Sequence, residues 1–315
     1  MNDLQLLPKV RDSLSFLYLE HCKIEQDEKS VAAYNAEGKT SIPCASLSLL
    51  MLGPGTSVTH AAVTALADNG CLVLWTGEQG IRMYAQGMGE SRSSANLIRQ
   101  AYALSSPSLR MQVVRRMYEM RFPEKLPPEL TLQQIRGKEG IRVRESYAVS
   151  SRETGVPWHG RNYNRKDWGQ ADPVNRALSC ANSALYGVCH AAIVSLGYSP
   201  GLGFIHTGKQ LSFVYDIADL YKADVTIPLA FRVAKATIKN IERETRVACR
   251  DVFHSTRLLG KIAADLDRLF AIVSVADGDV AADSDPALPG YLWDGGAPVK
   301  GGTNYSFPSE DDEGW

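Results

Sequence analysis

Closely spaced cysteines are missing from this 315-residue chain. Its six (Cys22, Cys44, Cys71, Cys180, Cys189, Cys249) are scattered, with no Cys-x-x-Cys pair. That spacing argues against a zinc ribbon or a disulfide framework, so reduced, buried thiols in a cytoplasmic protein are expected. No uninterrupted apolar run approaches the roughly 20 residues that span a bilayer, and no membrane association is expected. The start, MNDLQLLPK, lacks a basic stretch followed by an apolar one, so no secretory signal is expected. Basic residues are scarce at both ends. The first 80 residues hold five against nine acids, and residues 277–315 hold Lys300 alone against nine acids.

Apolar residues make up 44% of the chain and charged residues 22%. That is a globular composition, and the length suits about two domains. The net charge of −1 conceals a basic middle. Residues 1–276 carry 33 bases and 26 acids, and residues 92–176 carry 16 bases and 8 acids, with arginine well ahead of lysine. Guanidinium groups offer paired donors to phosphate, so this surplus suits a nucleic-acid partner; a solvated, salt-bridged helical surface is the plainer alternative.

Three zones follow from the patterning. Residues 13–86 read as short strands separated by turn residues, with one helix at about 58–68 capped by Thr56 or Ser57. CLVLWTGEQGIRMYAQ reads as two strands joined by a tight turn. Residues 92–270 read as helices: two broken near Pro107, a long one across LTLQQIRGKEGIRVRESYAVSSRETG, and a small-residue, buried one opened by Pro173 and closed by Gly197. Gly137 and Gly140 inside the long helix suggest close backbone approach or a local irregularity beside Glu139. Residues 277–315, rich in Gly, Pro, Asp and Ser, read as an acidic, mostly disordered tail. The expected fold class is α+β: an N-terminal β-sandwich domain over 1–88, a C-terminal all-α helical domain over 89–276, and an acidic flexible tail over 277–315.

Two places concentrate chemistry. In G-F-I-H-T-G-K-Q-L-S-F-V-Y-D-I-A-D (203–219), Asp216 and Asp219 fall three apart on a helix and share a face, near its buried side. Two like charges there call for a positive partner, and a divalent cation satisfies both. His206 lies ten residues upstream of Asp216 and can fold back toward the helix start. Two surface carboxylates and a satisfied histidine remain the plain alternative. H-T-G-K does not make a phosphate loop, because Gln210 follows Lys209 where Ser or Thr is needed. The second place is Glu139, followed by Arg142 and Arg144; alone, it reads as a salt-bridge partner.

These segments resemble a known family. R-G-K-E-G-I-R-V-R (136–144), G-F-I-H-T-G-K (203–209) and S-F-V-Y-D-I-A-D (212–219) look like the signature segments of the CRISPR-associated integrase and endonuclease, the Cas-one family, and resemble its subtype I-E branch. Collinear matches include G-P-G-T-S-V-T-H-A-A-V (53–63), L-V-L-W-T-G-E-Q-G-I-R-M-Y-A (72–85), V-V-R-R-M-Y-E-M-R-F (113–122), G-R-N-Y-N-R-K-D-W (160–168) and E-T-R-V-A-C-R-D-V-F (244–253). The resemblance spans about residues 10–270 and leaves out the acidic tail.

The resemblance implies a homodimer built on an N-terminal β-sandwich. It implies metal ligands at Glu139, His206 and Asp219, holding Mg²⁺ or Mn²⁺, with Asp216 also required for activity. It implies partners: double-stranded DNA with 3′ ends, the CRISPR array, and a small ferredoxin-like dimeric second subunit. DNA contacts are implied at Arg82, Arg110, Tyr186, Lys209, Tyr215, Arg243, Arg246 and Arg250. Arg243, Arg246 and Arg250 also sit at helical spacing, so one face could present three forks to a strand. The pattern departs at His21, where relatives carry a duplex-stacking tyrosine, and at Ser57 and Thr64, where relatives can be basic. The implied activity is insertion of short DNA fragments into the array by 3′-hydroxyl transesterification. The competing readings are a non-catalytic DNA-binding scaffold of the same fold and a helical hydrolase of small phosphates.

Overall fold

The structure, a computed structural model, describes residues 16–274 apart from 48, 78–82, 88–93, 162–171 and 238, together with the backbone of 291–292 and 299–300. Two four-stranded sheets form the N-terminal part. The first holds β1 (Leu17–Leu19), β5 (Leu49–Leu52), β7 (Leu72–Thr76) and β8 (Met83–Gly87), in the order β1-β5-β7-β8. The second holds β2 (Lys23–Asp27), β3 (Ser30–Asn35), β4 (Gly38–Ile42) and β6 (Ser57–Val58), in the order β4-β3-β2-β6. Both sheets are mixed. β5 pairs in parallel with β1 and β7, and β2 with β6, while β2-β3, β3-β4 and β7-β8 are antiparallel.

The burial of β5 and β7 follows from their sequences. Leu-Leu-Met-Leu and Leu-Val-Leu carry apolar side chains at successive positions, as strands covered on both faces do. Leu50, Leu52 and Val73 join Ile24, Val31 and Ile42 of the second sheet, with Ala62 and Leu66 of helix α1 (His60–Asp68), in one apolar cluster. Leu49, Met51, Leu72 and Leu74 point the other way and join the core of the helices. The sheets therefore share a core as a sandwich does, and the first sheet is also the floor of the helical layer. The cap of α1 is Thr59, whose hydroxyl accepts from the Ala62 amide, rather than Thr56 or Ser57. Ser57 instead pairs with Lys23 in β6.

Helices dominate the rest. They are α2 (Ala95–Ser105), α3 (Pro107–Glu119), α4 (Leu132–Thr154), α5 (Pro173–Ser195), α6 (Ser212–Ala218), α7 (Ile227–Ala236), α8 (Ile241–Ser255) and α9 (Leu258–Phe270). Pro107 separates α2 from α3, and Ser106 caps the second. Asp172 caps α5 ahead of Pro173. α5 is the central rod. Among the described residues it is the only helix long and apolar enough to cross a membrane, yet 83% of its apolar window is buried inside this fold. Gly187 is the contact point with the first sheet. A Cβ there would lie 3.0 Å from Leu49 Cδ2 and 3.4 Å from Met51 Sδ.

Gly137 and Gly140 do not mark close approach within the chain. α4 runs through both unbroken, and a Cβ at either would meet nothing within 4 Å. The six cysteines are all free and buried. Most of the acidic tail lies outside the described residues; within it Tyr291–Leu292 and Val299–Lys300 pair as a two-stranded antiparallel ladder.

Candidate active site

The site forms where α3, α4, α5 and the 203–226 segment meet. The 203–206 loop is held from two sides. Asp216, fully buried on α6, accepts from the backbone amides of Phe204 (2.6 Å), Ile205 (3.0 Å) and His206 (2.8 Å). From the opposite side Arg110 of α3 donates Nε and Nη2 to the Phe204 carbonyl, at 3.3 and 3.0 Å. Gly203 is obligatory, because a Cβ there would fall 2.3 Å from the His206 carbonyl oxygen and 2.6 Å from Ser212 Cβ.

Asp216 also fixes the imidazole. Its Oδ1 lies 2.7 Å from His206 Nδ1. That hydrogen bond is the main cause of a pKa raised above the ordinary histidine value, with burial opposing it and the charges of Asp219 and Asp216 adding to it. With Nδ1 carrying a proton to Asp216, Nε2 is the free nitrogen, and it sits 4.0 Å from Asp219 Oδ2. A carboxylate behind a histidine whose other nitrogen faces the site is the arrangement metal-binding histidines use.

Beyond the His206 ring that both approach, Asp216 and Asp219 have separate partners. The four hydrogen bonds of Asp216 meet its charge, whereas Asp219 pairs with Lys222 Nζ at 2.7 Å. Lys222 is placed by a π-helical turn, Lys222–Thr226, that follows α6. Such turns often re-aim side chains at functional sites. The turn is pinned by Ser146 of α4, donating to the Ala223 carbonyl, and by Thr226, donating to Asn182 Oδ1 of α5. Lys222 Nζ also lies 4.8 Å over the Tyr186 ring. Tyr186 meets Tyr215 edge-on at 5.1 Å, and Tyr215 meets His206 edge-on at 5.9 Å. Burial lowers the Lys222 pKa, but Asp219 and Tyr186 outweigh it and hold the ammonium above its ordinary value.

Glu139 reaches the same site from α4. Its carboxylate binds Arg142 Nε at 2.9 Å and Nη2 at 3.1 Å, and Arg121 Nη1 at 3.3 Å. Arg121 Nη1 is also 4.0 Å from Asp219 Oδ2, so one buried guanidinium bridges the two carboxylates. Glu139 and Asp219 thus face each other across Arg121, with His206 Nε2 on the Asp219 side. Among the described residues no three His, Cys, Asp or Glu side chains are close enough together to cage an ion. The donor set, two carboxylates and one oriented imidazole nitrogen, is right in kind for Mg²⁺ or Mn²⁺, and Arg121, Arg142 and Lys222 neutralise its two acids.

Lys222 and Arg121 were missed by sequence reasoning. Lys222 falls three residues after Asp219, the spacing of a helical ion pair, and that signal was there to be used. Arg142 stands three after Glu139 in the same way, which bears out the salt-bridge reading of Glu139. Arg121, which arrives from the turn after α3, lay inside the 113–122 match, but no spacing singled it out.

The other DNA-contact candidates divide. Lys209 is exposed beside the site, and Tyr186 and Tyr215 line it. Arg110 is committed to the Phe204 carbonyl. On α8, Arg243 and Arg250 are exposed, each paired among the described residues with its neighbour, Glu244 or Asp251. Arg246 turns inward, with its guanidinium carbon 4.5 Å over the Tyr18 ring. The face therefore presents two outward forks rather than three. His21 is exposed in a left-handed turn, tight against Gly55. Arg82 and the 162–168 stretch lie outside the described residues.

Comparison with known proteins places these features. Residues 119–250 match the family described as CRISPR associated protein Cas1. A curated relative from Thermus thermophilus, CRISPR-associated endonuclease Cas1 2, is 54% identical over 303 residues, covering 96% of this chain and 93% of its own length. CRISPR-associated endonuclease Cas1 of Escherichia coli is 41% identical over 91% of this chain and 95% of its own length. The crystal structure of a TtCas1–DNA complex superposes with a TM-score of 0.80 at 53% identity, covering 92% of this chain and all of that one. A chain sharing this much sequence over nearly its full length, with the same fold, belongs to the CRISPR-associated endonuclease Cas1 family.

Proposed function

We propose that this chain is a metal-dependent DNA integrase and endonuclease that captures short duplex fragments and joins their 3′ ends to a CRISPR array. Its curated relatives carry the name endonuclease, and a similar structure holds DNA. The single observation that carries the reading is the grouping of His206 and Lys222 at Asp219, joined through Arg121 to Glu139, with Asp216 locking the His206 ring from behind.

The joining step is a transesterification. The 3′-oxygen of the fragment forms a bond to a backbone phosphorus as the bond from that phosphorus to its own 3′-oxygen breaks. The proton of the attacking hydroxyl ends on the departing oxygen, and the number of phosphodiester bonds is unchanged. No anhydride is consumed, so no nucleotide cofactor is required. With water in place of the hydroxyl, the same site hydrolyses DNA. Glu139, His206 Nε2 and Asp219 would hold Mg²⁺ or Mn²⁺, which supplies polarisation of the phosphoryl oxygen and a lower hydroxyl pKa. Asp216 keeps the proton on Nδ1, so Nε2 is available as a ligand. Lys222, held protonated, offers a fixed positive charge where the phosphate gains negative charge. Tyr186, Tyr215 and Lys209 border the path of the entering 3′ end. Arg243 and Arg250 meet backbone phosphate further out.

On this reading residues 1–88 form the dimerisation domain and residues 89–276 the catalytic one. A small ferredoxin-like dimer completes the integration complex, and the signature segments favour the subtype I-E branch. The decisive experiment is strand transfer of a 3′-hydroxyl duplex into a supercoiled array plasmid with that second subunit. Chelation should abolish joining, and added Mn²⁺ or Mg²⁺ should restore it. Asp219→Ala should lower joining at least ~100-fold, with DNA affinity changed less than about threefold. Joining that survives either treatment would reject the metal site, and a folded chain that binds DNA but never joins it would leave the scaffold reading.

A further inference from the structure

Arg121 is an unusual occupant for an ion site. Its side chain is only 4% exposed. One nitrogen serves Glu139 and Asp219 together, while Nε and Nη2 are buried without any hydrogen-bond partner. Its guanidinium carbon lies 4.9 Å over the Tyr118 ring, which fixes its plane. A buried cation with two idle donors is costly, so a compensating interaction must keep it there. Among the described residues, the anions within 4.0 Å of it are the two carboxylates assigned above to the metal. Glu139 has a second cation in Arg142, and Asp219 has one in Lys222. Arg121 is therefore not needed to neutralise either acid singly. Among the described residues it is the cation that lies within 4.0 Å of both.

We infer that Arg121 is an internal stand-in for the divalent ion: it ties Glu139 to Asp219 while the site is empty of metal and yields that position when the ion arrives. This inference rests on the ion site proposed above. It makes Arg121 a positioning residue that never touches DNA, and it explains how two acids on separate elements stay aligned before an ion binds. Ion entry then exchanges a singly charged cation for a doubly charged one at the same two acids, and the loop carrying His206 need not refold.

The test uses the full-length chain and its thermal midpoint, with EDTA and with Mn²⁺. In EDTA, Arg121→Met should lower the midpoint by on the order of 5 °C, and Arg121→Lys by clearly less, because the charge remains. Saturating Mn²⁺ should raise the midpoint of Arg121→Met by more than it raises the parent's, closing most of the gap. Mn²⁺ affinity, read by water-proton relaxation, should rise several-fold in Arg121→Met, because one resident cation fewer has to be displaced. In EDTA the Glu139→Gln and Arg121→Met losses should not add in the double variant. Additive losses, or equal Mn²⁺ gains in parent and variant, would overturn the inference and make Arg121 an ordinary core residue. A parent with no Mn²⁺ response at all would reject the ion site itself, and the metal-free cycle would still decide whether Arg121 ties the two acids.

Discussion

Asp216 takes four donors on two oxygens: three backbone amides and the His206 ring. Bonds to a charged, desolvated acceptor contribute more than neutral ones, and stranding a buried donor costs about 1–3 kcal/mol. Asp216→Asn replaces one acceptor oxygen with a donor that faces amides, so at least one N–H loses its partner. We expect a loss of about 3 kcal/mol in urea unfolding, together with loss of strand joining. Asp219→Ala should differ. It removes the partner of Lys222 and one end of the Arg121 bridge, so the urea midpoint should fall by clearly less than in Asp216→Asn, while joining is lost. Similar unfolding losses for the two variants would show that the assignment of a structural and a chemical aspartate is wrong. The sequence placed both aspartates on one helical face near the buried side, which holds, but could not divide their roles. That division depends on a loop whose amides point at Asp216, and loop direction is not written in periodicity.

α5 shows how much of an element is legible and where legibility stops. Its start at Pro173 and its close before Gly197 follow from the residues, because a fixed φ suits the first turn and Gly197 adopts a left-handed φ of 76°. Its central burial follows from its small residues. Which residue touches the sheet does not follow, since Gly187 is identified only by Leu49, Met51 and Leu74 coming from elsewhere in the chain. A valine there would drive into Leu49, so Gly187→Val should cost about 1–3 kcal/mol by denaturant unfolding, and a neutral result would mean the seam is loose. The same helix carries His190, 1% exposed, with Nε2 unpartnered. Burial alone pushes its pKa down to about 4. A depressed folded pKa means the unfolded chain binds the proton first. Stability should therefore be full above about pH 6.5 and decline as pH falls toward about 4, by ~3 kcal/mol from this one group. His190→Leu should flatten that share of the slope between pH 7 and 4; an unchanged pH profile would show that the buried ring gains a partner on protonation.

At the scale of the whole molecule, charge on α8 has two jobs that its sequence spacing merges. Arg243, Arg246 and Arg250 sit on one helical periodicity, so a sequence reader assigns all three to a strand of DNA. Packing separates them, because the sheet-rich part supplies Tyr18 as a platform for Arg246, and Phe16 from the same stretch packs against Phe253 of α8. Arg246 therefore joins the two halves of the fold, whereas Arg243 and Arg250 face outward, held among the described residues by adjacent acids. An exposed pair of that kind contributes little to stability and is readily exchanged for a phosphate. Each phosphate contact adds about 0.9 to the slope of log affinity against log salt. Arg243→Ala with Arg250→Ala should thus reduce that slope by about 2 and leave the melting midpoint nearly unchanged. Arg246→Ala should do the reverse, lowering the midpoint through the lost stacking and the polar groups left buried, with the slope preserved. Titrating DNA binding between 50 and 200 mM salt on the three proteins separates the roles. A slope that falls with Arg246→Ala while the fold is intact would return Arg246 to the DNA face and place Tyr18 beside the strand.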